Sequence, residues 1–302
     1  MHTAPSHSLP GDEPTVLPAP SPQTLTAQLK HAFKSPPALA ALLIFGIVVL
    51  LSMLAPLLGT MDPIAIDPSR RLSGMSSAHW LGTDAFGRDT YSRVLYGARV
   101  SLIVGLGAML ASIALGLIIG VIAGYFRTAD AVIMRIMDGI MAIPSILLAI
   151  ALVSLTGGSL VTVLIAITIP DIPRVVRLVR GVILSVRSEP YVEAAVSLGT
   201  RLPRLLLRHM APNTVAPLIV QGTFIFASAI LTEATLSFLG AGLPPEIPSW
   251  GNMMADGRSY FQLRPGLVLY PGVVLALTLL SVNILGDVLR DALDPKTAGR
   301  NV

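Results

Sequence analysis

Cysteine is absent from the 302 residues. That excludes disulfide frameworks, thiolate metal sites and cysteine nucleophiles. Charge is scarce as well. Asp, Glu, Lys and Arg make up 13% of the chain, about half of the roughly 25% found in soluble domains. Length alone would allow two soluble domains, but this composition argues for a membrane protein. No G-x-x-x-x-G-K-[ST] phosphate loop is present; the three lysines, Lys30, Lys34 and Lys296, follow no such glycines. H-E-x-x-H is missing too. The five histidines, His2, His7, His31, His79 and His209, all lie outside the long apolar runs, which argues against a hydrolase working within a bilayer. The net charge is +4. Its basic residues flank apolar segments, so they read as topology signals, and nucleic acid is not expected as a partner.

What the chain has in quantity is apolar sequence, 53% of it. A membrane-crossing helix needs about 20 mostly apolar residues. Six stretches qualify: 38–58, 101–125, 132–155, 160–179, 214–239 and 267–289. The expected fold class is therefore an all-α membrane protein with six transmembrane helices. The fourth stretch ends in "TIPDIPRVVRLVR", with Pro170, Asp171 and Pro173. It reads either as a kinked helix leaving the bilayer or as a shorter span followed by a second helix. Residues 1–37 hold eight prolines and no apolar periodicity, and read as a disordered cytoplasmic tail. The run beginning at Ala38 is too long for a signal peptide and reads as an uncleaved first span. Residues 38–100 are then the first span with an outer loop, and 101–295 a core of five further spans.

Lys and Arg set the orientation. With the N-terminus inside, 14 of the 21 fall on inner segments and 7 on outer ones. Both termini are expected in the cytoplasm, and so is the polar loop 188–213. The second span carries Gly116, Gly120 and Gly124 on one face. Small residues at that spacing let another backbone approach, either within the subunit or at a subunit interface.

The polar loop reads "SEPYVEAAVSLGTRLPRLLLRHMAPN". Pro190 suits a first helical turn, with Ser188 or Glu189 as cap. Gly199 falls where a left-handed residue ends the helix. Thr200 can cap a second helix that Pro212 stops. Ala194 and Ala195 give the first helix a small face that fits a groove, and Glu193 adds a charge. Arg201, Arg204 and Arg208 share a face suited to anionic headgroups or an acidic partner.

"EAAVSLG", nine residues, then "HMAP" resembles the EAA loop of permease subunits in binding-protein-dependent ABC importers. Glu193, Ala194, Ala195, Gly199 and Pro212 match; Ala211 stands where the family usually has Leu. "HWLGTDAFGRDTYSRVLYGARVSL" at 79–102 and "LTEATLSFLGAGLPPEIPSWGNMM" at 231–254 are similar to the C-type subunit of dipeptide, oligopeptide and nickel importers. The resemblance implies a type I importer transmembrane domain in which 190–198 is a coupling helix docked in a cleft of an ATPase subunit. It also implies a homologous second permease, two ATPases that bind ATP and Mg, an extracytoplasmic binding protein and a peptide substrate. No cofactor or metal is expected in this chain.

Charged residues near the spans are further candidates. Asp138 can pair with Arg135 three residues before it, or line the pathway. Glu233 is expected near the outer surface, either facing the pathway entrance or pairing with an outer-loop arginine. Arg88, Asp89 and Arg93 are expected to contact the binding protein or to pack across the entrance. Asp287 reads as interfacial, and Asn283 as bonded to a neighbouring helix. Import of nickel complexes or other peptide-like solutes is the alternative substrate reading. An ion-coupled secondary transporter is the alternative class, and it would need ionisable residues or broken helices near the midplane.

Overall fold

The computed structural model describes residues 33–293. Most of the tail expected at 1–37, together with Lys296 and Arg300, lies outside the described residues. Among the described residues the structure is helical, with one isolated bridge between Thr83 and Asp89.

Helix α1, Pro36–Met53, starts on a proline whose missing N–H costs nothing in a first turn. A loop then leads to α2, Thr90–Tyr125. Its start lies eleven residues before the expected 101, because the Asp89 carboxylate caps the Ser92 N–H. The cap, rather than the hydropathy, sets that boundary. Helices α3, Arg127–Met141, and α4, Ser145–Thr156, meet at 87°. The stretch expected as one straight span at 132–155 is thus two helices. Pro144 supplies the break: it has no N–H to donate and forces the residue before it out of helical geometry.

Helix α5, Leu160–Arg187, begins with a reciprocal cap between Ser159 and Thr162 and runs through Pro170 and Pro173. The helix is not divided at these prolines into a shorter span and a second helix. A short hairpin follows: α6, Pro190–Ser197, and the single turn α7, Leu202–Leu205. The chain continues through a π turn (Leu206–Met210) and a 3-10 turn (Ala211–Thr214) into α8, Val215–Phe238. Helices α9, Trp250–Arg258, and α10, Gly266–Leu293, complete the fold.

Four helical runs are long and apolar enough to cross a membrane: α1, α2, Leu202–Phe238 and α10. The bent α3–α4 pair would make a fifth. The expected count of six is not reached by that measure. Helix α5 falls short because Asp171, Arg174 and Arg177 interrupt its apolar sequence.

The glycine face of α2 is packed within the chain. A Cβ on Gly120 would come within 2.7 Å of Val179, and one on Gly124 within 2.7 Å of Ile183; one on Gly116 would collide with Val175. In lipid, such close van der Waals contact replaces the hydrophobic driving force between helices. Val175, Val179 and Ile183 continue into a buried cluster with Val192 and Ala195 of α6, Leu205, Met210, and Leu218 and Ile225 of α8. The hairpin is therefore seated on the bundle by its own core.

Candidate functional site

Two polar regions stand at opposite ends of the bundle. At one end is the hairpin. Glu189 precedes α6, but neither it nor Ser188 supplies a side-chain cap. Pro190 does occupy the first turn. Gly199 has φ +74°, and the N–H groups of Gly199 and Thr200 close onto the carbonyls of Val196 and Ala195, 2.9 and 3.0 Å away. This is a Schellman ending, which needs a residue tolerant of positive φ.

Other expectations for the hairpin are corrected. Thr200 does not cap the second arm; Arg201 holds that position without a side-chain bond. Pro212 does not stop the helix. The preceding π turn widens the backbone, so the missing proline N–H falls in an irregular turn and the helix resumes. Asn213 takes up the loosened carbonyls: its amide donates to His209 O at 2.8 Å and Met210 O at 3.3 Å. The same amide donates to the Tyr191 hydroxyl at 3.1 Å, tying the two arms together.

The outward face of the hairpin also differs from expectation. Ala195 is buried in the core cluster, whereas Glu193 and Ala194 are exposed. Beside them stand residues that sequence reasoning passed over: Tyr191, Val196 and, at the tip, Leu198, which is 85% exposed. Period 3.6 supplied the signal, since Val192 and Ala195 share the inner face and 191, 194 and 198 the outer one. Arg201, Arg204 and Arg208 are all exposed, as is Pro212.

At the opposite end the loop before α2 folds onto α9. Arg88 donates to Asp84 at 2.6 Å and to Asp256 at 2.7 Å. Arg93 lies 3.6 and 3.7 Å from the same two carboxylates. Asp89, besides capping α2, bonds to His79 Nδ1 at 2.9 Å. Arg88, Asp89 and Arg93 are only 5, 5 and 1% exposed. They knit the loop to α9, and their own side chains are withdrawn from solvent. Gly87 makes the tight turn possible, at φ +77° and against the backbone of Asp67. Farther out, the Ser69 hydroxyl bonded to Asp67 holds that carboxyl below its usual range.

Glu233 is corrected as well. Its carboxylate is withdrawn from solvent and, among the described residues, pairs with no arginine. It is fully buried, accepting from Ser237 at 2.9 Å and from Ser101 of α2 at 3.4 Å, with Ser249 also on the carboxylate. Asp138 pairs with Arg177 of α5 at 2.6 Å, not with Arg135. Asn283 is exposed and, among the described residues, bonds to no neighbouring helix; Asp287 is exposed too. A charged stripe on α5 emerges instead: Arg174 beside Asp171, Arg177 on Asp138, and Arg180 on Asp130 at 2.5 and 2.7 Å. Arginines three residues apart gave the signal, but their partners lie up to 50 residues away.

Known proteins bear on this arrangement. The family described as binding-protein-dependent transport system inner membrane component matches residues 112–299. A peptide ABC transporter permease protein of Sinorhizobium fredii is 53% identical over 251 residues, covering 83% of this chain and 86% of the relative. A dipeptide transport system permease protein of Alkalihalophilus pseudofirmus is 43% identical over 301 residues, covering 98% of this chain and 99% of its own. The inward-facing MetNI methionine ABC transporter aligns with TM-score 0.51 at 16% identity, over 68% of this chain and 94% of that one. At that identity the likeness concerns the fold.

Proposed function

The chain belongs to the family of binding-protein-dependent transport system inner membrane components, and we propose that it admits peptides into the cell as one half of an ATP-driven importer. Subunits of this family are non-catalytic permeases, and ATP is hydrolysed by a separate subunit. Peptide as the cargo is supported by the names of both relatives.

In this reading the protein lies in the cytoplasmic (inner) membrane with the hairpin end and both termini inside. The 14 to 7 partition of basic residues supports that orientation. A homologous permease pairs with it, two ATPases bind ATP and Mg beneath the pair, and a binding protein delivers substrate from outside. Four or five spanning helices are few to enclose a peptide on their own, which favours a second such subunit.

One observation carries the proposal: an exposed apolar tip on a rigidly seated hairpin. Leu198, Val196 and Tyr191 leave apolar area in water at the end of a helix whose other face is core. Burying that area in a partner's cleft is favourable by about 25 cal/mol per Å². Glu193 adds a carboxylate for a donor in the cleft. Closure of the ATPase pair then moves α6 with its cleft, and α6 moves α5 and α8. The pathway alternates between facing outward and inward.

The test uses the complete transporter in proteoliposomes. Gly199→Pro forbids the φ +74° ending, and Glu193→Lys reverses the charge at the docking face. Both variants are expected to insert normally and to keep ATP hydrolysis while losing peptide uptake. Unchanged uptake in both would reject the coupling role. Uptake by the wild-type protein driven by an ion gradient rather than by ATP would reject the importer reading.

A further inference from the structure

A polar recess opens between α4, α5 and α8, walled by Ser145, Asp171, Arg174, Ser228 and Thr232. Asp171 lies eleven residues into α5. At 1.5 Å per residue that is about 17 Å along the helix, halfway through a bilayer core about 30 Å thick when α5 enters it at Leu160, as the proposed orientation has it. A charge at such a depth is expensive unless something uses it.

The three Asp–Arg pairs along α5 are not alike. Asp138 and Asp130 each accept direct hydrogen bonds from arginine, at 2.6 Å and at 2.5 and 2.7 Å. Asp171 is 7% exposed, and its one charged neighbour, Arg174, stays at 3.5 Å. No donor among the described residues completes a hydrogen bond to its carboxylate. The Arg174 guanidinium meanwhile turns outward and is half exposed. Thr232 spends its hydroxyl on Ser228 O, while the Ser145 and Ser228 hydroxyls have no partner of their own among the described residues. The free room is about 20 Å³, enough for one water-sized group. The recess thus offers a carboxylate held by one ion pair and no hydrogen bond, the hydroxyls of exposed Ser145 and half-buried Ser228, and a flanking guanidinium, in a space the size of an ammonium group.

Resting on the permease reading, we infer that this recess is a waystation for the N-terminal ammonium of a peptide crossing the bundle. Asp171 accepts from the ammonium, Ser145 and Ser228 supply further acceptors, and exposed Arg174 meets carbonyl or carboxylate oxygen farther along the same peptide. An ammonium satisfies the buried carboxylate as the chain itself does not, because a charge-assisted hydrogen bond is about twice as strong as a neutral one.

The experiment measures ATP-dependent dipeptide uptake by the complete transporter in proteoliposomes, with ATP hydrolysis followed in parallel. Asp171→Asn is expected to lower uptake about ten- to hundredfold, the range for losing a hydrogen bond to a charge. Binding-protein-stimulated ATP hydrolysis should persist. Asp171→Glu should recover much of the uptake. Asp171→Asn combined with Arg174→Gln removes the pair without stranding either charge, and it should remain defective. Recovery in that double variant would make the pair structural and overturn the inference. Ser228→Leu fills the recess and spares both charges, so it decides the matter if Asp171→Asn fails to insert. Its uptake should fall as well, and normal uptake there would overturn the inference. Wild-type uptake that does not require ATP would instead sink the permease reading, so the two failures stay distinct.

Discussion

Arg88 shows how much a single side chain can hold. It sits between Asp84 and Asp256 with almost no exposure. Arg88→Ala would leave Asp84 and Asp256 with only the more distant Arg93 as a cationic partner, at a cost of up to about 3–5 kcal/mol. Thermal unfolding of the purified subunit in detergent should show a large loss for Arg88→Ala. Arg201→Gln, on the exposed hairpin arm, should stay within about 0.5 kcal/mol of the wild type. That "GRD" makes specific contacts was legible in the sequence, but the partners were not. Asp256 lies 168 residues beyond Arg88, and no spacing rule reaches that far. Glu233 misled for a similar reason. Its depth along α8 was countable, yet only packing could place Ser101, Ser237 and Ser249 around it. Asp138 had a plausible local partner in Arg135 and found a better one on α5.

At the scale of elements, the contact between α2 and α5 decides whether the bundle closes. Gly120→Leu would drive a side chain into Val179, whose Cβ already lies 2.7 Å from where a Cβ on Gly120 would stand. Overpacking of that kind costs about 1–3 kcal/mol and should appear as reduced assembly with the other subunits. Gly46 of α1 faces open space in the subunit. Gly46→Ala should leave detergent stability unchanged or raise it by up to about 1 kcal/mol. Co-purification yield and unfolding midpoint check both. Most helices were legible because long apolar runs need no partner to be seen. The glycine face was legible too, since a period of four lines small residues along one side of a helix, but which backbone approached it was not. The break at Pro144 was not, because the apolar signal runs straight across it. Pro170, Pro173 and Pro212 misled in the opposite sense. Each marks a lost hydrogen bond, and neighbouring packing or a π turn carries the helix past it.

At the scale of the whole molecule, the absence of cysteine becomes an experimental asset. Leu198→Cys at the hairpin tip and Leu263→Cys at the far loop replace side chains that are 85 and 72% exposed. In the proposed orientation a membrane-impermeant maleimide should label position 263 in right-side-out vesicles and position 198 only in inside-out ones. The opposite pattern would invert the topology. Addition of the ATPase subunits should shield position 198 and leave 263 reactive. Composition alone made the membrane assignment legible, and the charge partition suggested the orientation. How the two polar ends are joined was not legible, because Pro212 looked like a full stop.

That junction has a consequence for the timing of the cycle. Leu202–Phe238 is one run of 37 residues, about 55 Å of stiff rod, with the hairpin at one tip and buried Glu233 near the other. A rod carries news both ways, and coupling between two binding events is reciprocal by thermodynamic necessity. In the proposed importer, a ligand at the distant mouth that shifts this rod would change the grip at the near tip, and the motor would sense a loaded courier before it fires.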